Sequence, residues 1–346
     1  MKIKWGVIGC GGIAMRRTIP GMMLSQNSEL VAVMDTNYEV AKKVKNEFNS
    51  KYAFNTVEEL LEVKEIDAVY IATPVFCHKD QAMLAADAGK HILLEKPMGL
   101  TVEESKKIAD YCKNKGVKLA VGLMMRYSSY HQKMREIILN GSIGDVVSMR
   151  GQLTCWYPEM AGNWRQNKQT AGGGALMDMG IHCIDLLQYI SGTKAEKVAC
   201  FVQNQTFDYG VEDSSALIMK MSNGATAYVD SNFNIPDNAA KCRLEFYGTK
   251  GSILAEGTIS QVEAGEIKLT SSDSALGYSA IQNRNGDDFV IVDVEPGNMY
   301  EKEISTFADC ILNNTKPQIS AEEGIFVQNI VEQAYKAAEE CRYKDI

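Results

Sequence analysis

The chain is short of histidine and contains no Cys-x-x-Cys pair, no block of lysine and arginine and no long apolar run. Each shortage removes a class of function. Four histidines (His78, His91, His131, His182) are scattered through 346 residues, whereas a zinc site needs ligands clustered at short spacings. No metal is expected. The nine cysteines, an odd number, read as reduced cytosolic thiols packed as small apolar residues rather than as a disulfide framework. Lys and Arg total 36 against 44 Asp and Glu, a net charge of −8, which offers no grip on nucleic-acid phosphates or an anionic membrane. No apolar stretch reaches the roughly 18 to 20 residues that span a bilayer. Met1-Lys2 leads straight into strand-like Ile3-Lys4-Trp5-Gly6-Val7-Ile8, unlike a secretory signal, so a cytoplasmic location is expected.

What is present is an ordinary globular composition, 45% hydrophobic and 23% charged, at a length that suggests two domains with real cores. Up to about residue 123 short apolar runs alternate with longer amphipathic ones. The runs are Val7-Ile8, Leu30–Met34, Ala68–Ala72, Ile92–Leu94 and Leu119–Val121. They lack polar alternation, as parallel strands buried on both faces do. Helices are expected near 13–25, 37–48, 56–62, 76–88 and 101–114, with Thr56/Glu59 and Thr101/Glu104 at capping-box spacing. The α/β pattern predicts a Rossmann-type, doubly wound parallel sheet over 1–123. Past Gly122 the texture changes. A helix near 128–139 ends at Asn140-Gly141. Then come β-like runs at Val146–Thr154, Val198–Gln205, Ala216–Met221, Ala225–Phe233, Arg243–Tyr247, Ser252–Ala255, Ile267–Thr270 and Phe289–Val294. Asn223-Gly224 is a strong hairpin signal and Gly248–Gly251 a weaker one. Helices near 299–313 and 321–341 close an α+β domain over 124–346, built on a large open, mostly antiparallel sheet.

The first strand-to-helix turn reads Gly9-Cys10-Gly11-Gly12-Ile13-Ala14, a Gly-x-Gly-x-x-Ala fingerprint. Gly9 permits a tight turn, Gly11 lets backbone approach a pyrophosphate, and Ala14 lets the helix pack close to the sheet. The helix start offers free N–H groups to phosphates. Asp35 ends the second strand, where a carboxylate accepts from ribose hydroxyls and repels a 2′-phosphate, so NAD is favoured over NADP. Thr73 and Pro74 lie at the carboxyl edge of the next strand, where they could line the cofactor. His78 reads as a helix-start residue satisfying backbone groups, on the same edge; His91 falls at the opposite one. The run Ile92–Leu94 ends in Glu95-Lys96-Pro97, and proline holds Lys96 extended at the edge where α/β sheets bind ligands.

One segment of the second half departs from the sheet pattern: Gly172-Gly173-Gly174-Ala175-Leu176-Met177-Asp178-Met179-Gly180-Ile181-His182-Cys183-Ile184-Asp185. Leu176, Ile184 and Leu187 have helical spacing, so a helix entered through glycines is expected. Asp178 and His182 stand four apart on one face, with Asp185 nearby. A carboxylate beside an imidazole can fix its tautomer and raise its basicity, as a general base requires. A buried histidine satisfied by its helix neighbour would look the same. The glycines imply that something approaches the backbone closely.

The fingerprint at Gly9–Ala14, Ala72-Thr73-Pro74, Glu95-Lys96-Pro97, Trp164-Arg165, the Gly173-Gly174-x-x-x-Asp178-x-Gly180-x-His182-x-x-Asp185 run and Glu245–Gly251 together resemble the Gfo/Idh/MocA family, the glucose–fructose oxidoreductase and inositol dehydrogenase superfamily. The resemblance implies reversible oxidation of a sugar or polyol (cyclitol) hydroxyl with NAD. It makes Lys96, Asp178 and His182 the catalytic set. Gly9, Gly11, Gly12, Ile13, Ala14, Asp35, Thr73, Pro74, His78, Glu95, Lys96, Trp164 and Arg165 become the cofactor side. A cis peptide before Pro97 is also implied. Where many members carry a polar residue, this chain has Met124 and Met125. Arg126 and Tyr157, with Trp156, fit a sugar-facing wall or the core equally well, and Tyr300 is a further specificity candidate. A histidine's ordinary pKa suits a base better than a lysine's, which favours His182 as base and Lys96 as the group polarising the same oxygen. Within the family an NAD-recycling glycoside hydrolase or epimerase, a dihydrodiol-type dehydrogenase and a non-catalytic sensor are the rival readings. The open sheet suggests a homodimer or homotetramer.

Overall fold

The computed structural model describes residues 1–271 and 289–346. It divides into two compact units. The first comprises Met1–Tyr127, Gly162–Gly172 and Asn298–Asn329; the second comprises Ser128–Ala161, Gly173–Gly297 and Ile330–Ile346. The chain thus leaves the first unit close to the change of pattern near residue 123, then returns to it twice. No change of composition announces those returns.

In the first unit the strands β1 (Ile3–Ile8), β2 (Ser28–Met34), β3 (Tyr52–Phe54), β4 (Ala68–Ile71), β5 (His91–Glu95) and β6 (Leu119–Gly122) form one sheet in the order β3-β2-β1-β4-β5-β6. All its pairings are parallel. This is the doubly wound arrangement, with the strand order reversing between β1 and β4. The crossovers are α1 (Ile19–Leu24), α2 (Tyr38–Phe48), α3 (Val57–Leu61), α4 (His78–Asp87) and α5 (Val102–Asn114). Local chemistry sets their starts: Asn37, Thr56 and Thr101 accept from the N–H groups of Glu39, Glu59 and Glu104. The short β3 was invisible to pattern reading because its three residues are all half-buried. Trp5, Val7, Tyr70 and Leu93 are buried in a core that also takes Ile304, Phe307, Ala308 and Cys310 from the helix Met299–Leu312.

The second unit opens with α6 (Ser129–Leu139) and carries β7 (Val146–Thr154), β8 (Ala195–Gln203), β9 (Ser214–Met221), β10 (Thr226–Asn232), β11 (Arg243–Gly248), β12 (Gly251–Glu256), β13 (Glu266–Ser271), β14 (Val290–Ile291) and β15 (Lys344–Asp345). Their order is β14-β13-β12-β11-β7-β10-β9-β8-β15. The β7–β10 pair is parallel and the rest antiparallel. Gly224, with φ +88°, turns β9 into β10, and Thr249-Lys250 join β11 to β12. One face packs on helix: a side chain at Gly151 of β7 would press on Cys183 of the helix Ile181–Ser191. The other face leaves Phe201, Ile218, Tyr228 and Leu254 exposed. Among the described residues no helix is long and apolar enough to cross a membrane, and no cluster of three His, Cys, Asp or Glu could hold a metal ion.

Candidate active site

In the first unit β1 ends on Gly9, whose φ of +80° and tight approach to the backbone N of Thr73 both exclude a side chain. Gly12 also takes positive φ (+50°), and the space where its side chain would stand is open. Ala14 is buried and starts a helical run, π-type over Ala14–Thr18 and continuing as α1; no side chain caps its first N–H groups. Ile13 occupies the cap position itself. Such a start presents donors and a positive dipole end to an anion. Asp35, just past β2, accepts from Asn37 N at 3.0 Å and Gly11 N at 3.3 Å, which fixes its carboxylate beside the turn. An uncapped helix start, an open cradle over Gly12 and an anchored acid fit a dinucleotide.

At the carboxyl ends of the neighbouring strands, Thr73 and Pro74 follow β4, with Thr73 Oγ1 bonded to Gln81 at 2.5 Å. His78 begins α4, buried, with its ring nitrogens 3.0 Å and 2.9 Å from the carbonyls of Pro97 and Thr73. It ties together the loops that follow β4 and β5. Burial pulls its pKa down to about 4, against the two carbonyls that favour an imidazolium. His91 sits at the start of β5 and accepts from Lys118 N. Lys96 is half-buried, and the Lys96–Pro97 peptide is cis.

Glu95, beside it, accepts from the Tyr70 hydroxyl at 2.5 Å, and that hydroxyl accepts from Thr18 at 3.0 Å. Burial raises the Glu95 pKa, while Tyr70, the charge of Lys96 and that of Arg165 pull it back. Arg165 stacks over its neighbour Trp164 at 4.3 Å, on a short turn capped by Asn163. Sequence reasoning missed Glu303 altogether. It is buried on the helix Met299–Leu312, and burial, then the charge of Glu95, push its carboxyl well above the usual range. Tyr300, singled out as a specificity candidate, is buried in the same place. Met124 and Met125 are core residues on the turn Met124–Tyr127, and Arg126 on that turn is buried and ion-paired with Glu323 at 2.7 Å.

In the second unit the predicted helix is present, but its first turn, Leu176–Gly180, is π-helical and passes directly into Ile181–Ser191. Asp178 is half-buried on the π turn; His182 and Asp185 follow in the α segment, both buried. The π–α junction therefore falls between Asp178 and His182, which were read as residues of one regular helix. Burial, and then the Asp178 charge, push the Cys155 thiol up to about 12. Trp156 next to it is exposed and meets Phe207 edge-on at 5.1 Å; Tyr157 packs on Phe233 at 4.9 Å in the apolar cluster beneath.

The glycines at the helix entry are explained within this unit. A side chain on Gly174 would collide with the backbone of Glu212, and one on Gly173 with the hydroxyl of Tyr335. Neither Glu212 nor Tyr335 was singled out from sequence. Their only signal is an acidic pair, Glu212-Asp213, placed directly before a strand.

Residues 3–123 match the oxidoreductase family with an NAD-binding Rossmann fold, so the class is a dinucleotide-binding oxidoreductase. Residues 131–254 match the GFO/IDH/MocA C-terminal domain. The chain belongs to the GFO/IDH/MocA family. It is 28% identical to a 1,5-anhydro-D-fructose reductase of Ensifer adhaerens, over 93% of this chain and 92% of that one. It is 27% identical to D-xylose 1-dehydrogenase (NADP(+)) 2 of Haloferax volcanii, over 97% and 98%. Among solved structures, a levoglucosan dehydrogenase in complex with NADH and levoglucosan shares the fold, with TM-score 0.87 at 23% identity and full coverage of both chains.

Proposed function

We propose that this protein is an NAD(H)-dependent oxidoreductase that moves a hydride between nicotinamide and a hydroxyl-bearing carbon of a sugar or polyol. The observation that carries the reading is likeness along 93% and 97% of the chain to relatives named for sugar reduction and oxidation. Gly9, Gly11, Gly12, Ile13 and Ala14 would hold the pyrophosphate, and Asp35 the adenosine ribose. Thr73, Pro74, His78, Glu95, Trp164 and Arg165 would shape the nicotinamide side. One relative is named for NADP(+). NAD is favoured for this chain because the Asp35 carboxylate is anchored beside Gly11, where it would repel a 2′-phosphate.

When bound, nicotinamide supplies the hydride acceptor for oxidation and the donor for reduction. The chain's own residues manage the proton. In oxidation an imidazole nitrogen of His182 takes the substrate hydroxyl proton, and Asp178 orients the ring and stabilises its charged form. Lys96 Nζ binds and polarises the same oxygen. In reduction the proton returns from His182 to the new alkoxide. The outward sheet face with Phe201, Ile218, Tyr228 and Leu254 exposed supports association into a homodimer or homotetramer.

A panel of sugars, cyclitols and 3-keto-sugars, followed by the absorbance of reduced nicotinamide with NAD(H) and NADP(H) in parallel, tests this. Turnover with at least one member and preference for NAD(H) are expected. Lys96→Met and His182→Ala should each lower turnover about a hundredfold, the scale of acid–base catalysis, while NADH still binds. Silence across the panel sinks the reading, and full turnover in both variants sinks the roles given to Lys96 and His182.

A further inference from the structure

Four hydrogen bonds meet on one residue that the proposed reaction does not use. Glu212 is 8% exposed. Its Oε2 accepts from Gly174 N at 2.9 Å, its Oε1 from Leu176 N at 3.0 Å, and its backbone carbonyl from Ala175 N at 3.1 Å. Tyr335 donates its hydroxyl to the same Oε1 at 2.7 Å. Three consecutive N–H groups at the head of the run Leu176–Ser191 are therefore all satisfied from the stretch that precedes β9.

Helix starts leave such N–H groups without partners and usually satisfy them from a side chain at the cap position. Ala175 holds that position here and has no acceptor. A buried carboxylate supplied from elsewhere replaces the local cap, and its negative charge suits the positive end of the helix. The fit is tight enough that Gly173 and Gly174 admit no side chain. The close approach implied by the glycine run is thus to this clamp.

The clamp matters for chemistry because of the turn it holds. Leu176–Gly180 is π-helical, and π turns close one residue later than α turns. Were that turn to relax to α, its residues would slip by one position, roughly 100° about the helix axis. Asp178 lies on the π turn, two residues past Leu176; His182 lies beyond it. We infer that Glu212, steadied by Tyr335, is a positioning residue that keeps the run's first turn in π register and so aims Asp178 relative to His182. This rests on the roles given to Asp178 and His182 in the proposed reaction.

The test is Glu212→Gln in the full chain, with Tyr335→Phe as a milder companion. The amide keeps the size of the side chain but turns an NH2 toward one of the backbone donors. Glu212→Gln is expected to lower kcat by roughly tenfold to a hundredfold, the scale of a small misplacement of catalytic groups. The Kd for NADH should change less than twofold, and the acid limb of the kcat/KM–pH profile should shift, because the surroundings of His182 change. Tyr335→Phe should move kcat and the profile in the same direction by a smaller factor, about threefold, because it leaves the carboxylate and its bonds to Gly174 and Leu176 in place. A merely structural role would lower Tm and leave kcat per folded molecule and the pH profile unchanged. That result overturns the inference. If Glu212→Gln does not fold, an unaltered kcat and profile in Tyr335→Phe overturn it equally. A wild-type protein that turns over no sugar removes the proposed function and this inference with it. Wild-type turnover with kcat and the pH profile unchanged in both variants removes only the inference.

Discussion

At the head of α4 the enclosed imidazole of His78 makes a local fact measurable in bulk. Burial lowers its pKa to about 4, below the roughly 6.5 of an exposed histidine. Between those pH values the unfolded chain binds a proton that the folded chain refuses. The contribution is therefore complete above pH 6.5 and is lost as pH falls toward 4, amounting to about 2–3 kcal/mol near pH 4.5. Glu95, Glu212 and Glu303 have raised pKa values and act in the opposite sense, so the comparison must be with a variant. Urea unfolding at pH 7 and 4.5 should show a larger loss of stability in wild type than in His78→Gln, by about that amount. Equal losses would mean that the ring titrates alike in the folded and unfolded chain, its carbonyl neighbours offsetting the effect of burial. At this scale the sequence was partly legible. Gly9 was read as permitting a tight turn, and its φ of +80° fits that reading, because the turn is local. Glu212, Tyr335 and Glu303 were not singled out, since each acts on residues far away in the chain and no spacing rule connects them.

The strands of the second unit were the most legible elements. β7 runs over Val146–Thr154 as expected, and the Asn223-Gly224 hairpin joins β9 to β10. An antiparallel sheet with one covered face writes its alternation into the sequence, and a short turn through Asn223-Gly224 fixes the register. The π turn at Leu176 left no such mark. It has the same apolar spacing as an α-helix and is set by the backbone N–H groups that donate to Glu212. Where the helix Ile181–Ser191 lies on the sheet, Gly151 is the contact that lets it sit close: an added Cβ would stand 2.9 Å from Cys183 Cβ. The backbone at Gly151 is regular strand, so Gly151→Ala tests packing alone. An overpacked contact of this kind costs about 1–3 kcal/mol, which for a protein of this size lowers Tm by several degrees, at about 2–4 °C per kcal/mol. A thermal melt of Gly151→Ala that matches wild type would show that the helix can shift off β7 without loss.

The first unit as a whole is assembled from three separated stretches of chain, and this is where a boundary near residue 123 says least. The change of pattern there is real, but the helix Met299–Leu312 looks from sequence like any closing amphipathic helix. Its Ile304, Phe307, Ala308 and Cys310 complete the core around Trp5, and Phe307 stands 6.0 Å from the Trp5 ring. Further along, Gln328 bonds Ser105 and the carbonyl of Gly99, and Ser320 bridges Ala120. A fragment of residues 1–127 would expose the apolar surface these groups cover. Burial of an Ile or a Phe contributes roughly 1.5–3 kcal/mol each, so the lost contacts approach the roughly 5–15 kcal/mol that holds an entire domain folded. The fragment is therefore expected to melt without a cooperative transition and not to bind NADH. Joining residues 298–329 to it through a flexible linker should restore both. Circular dichroism melts and NADH titration of the two constructions decide the matter. A cooperative 1–127 fragment that binds NADH as tightly as the full chain would make the later segments a covering rather than part of the fold.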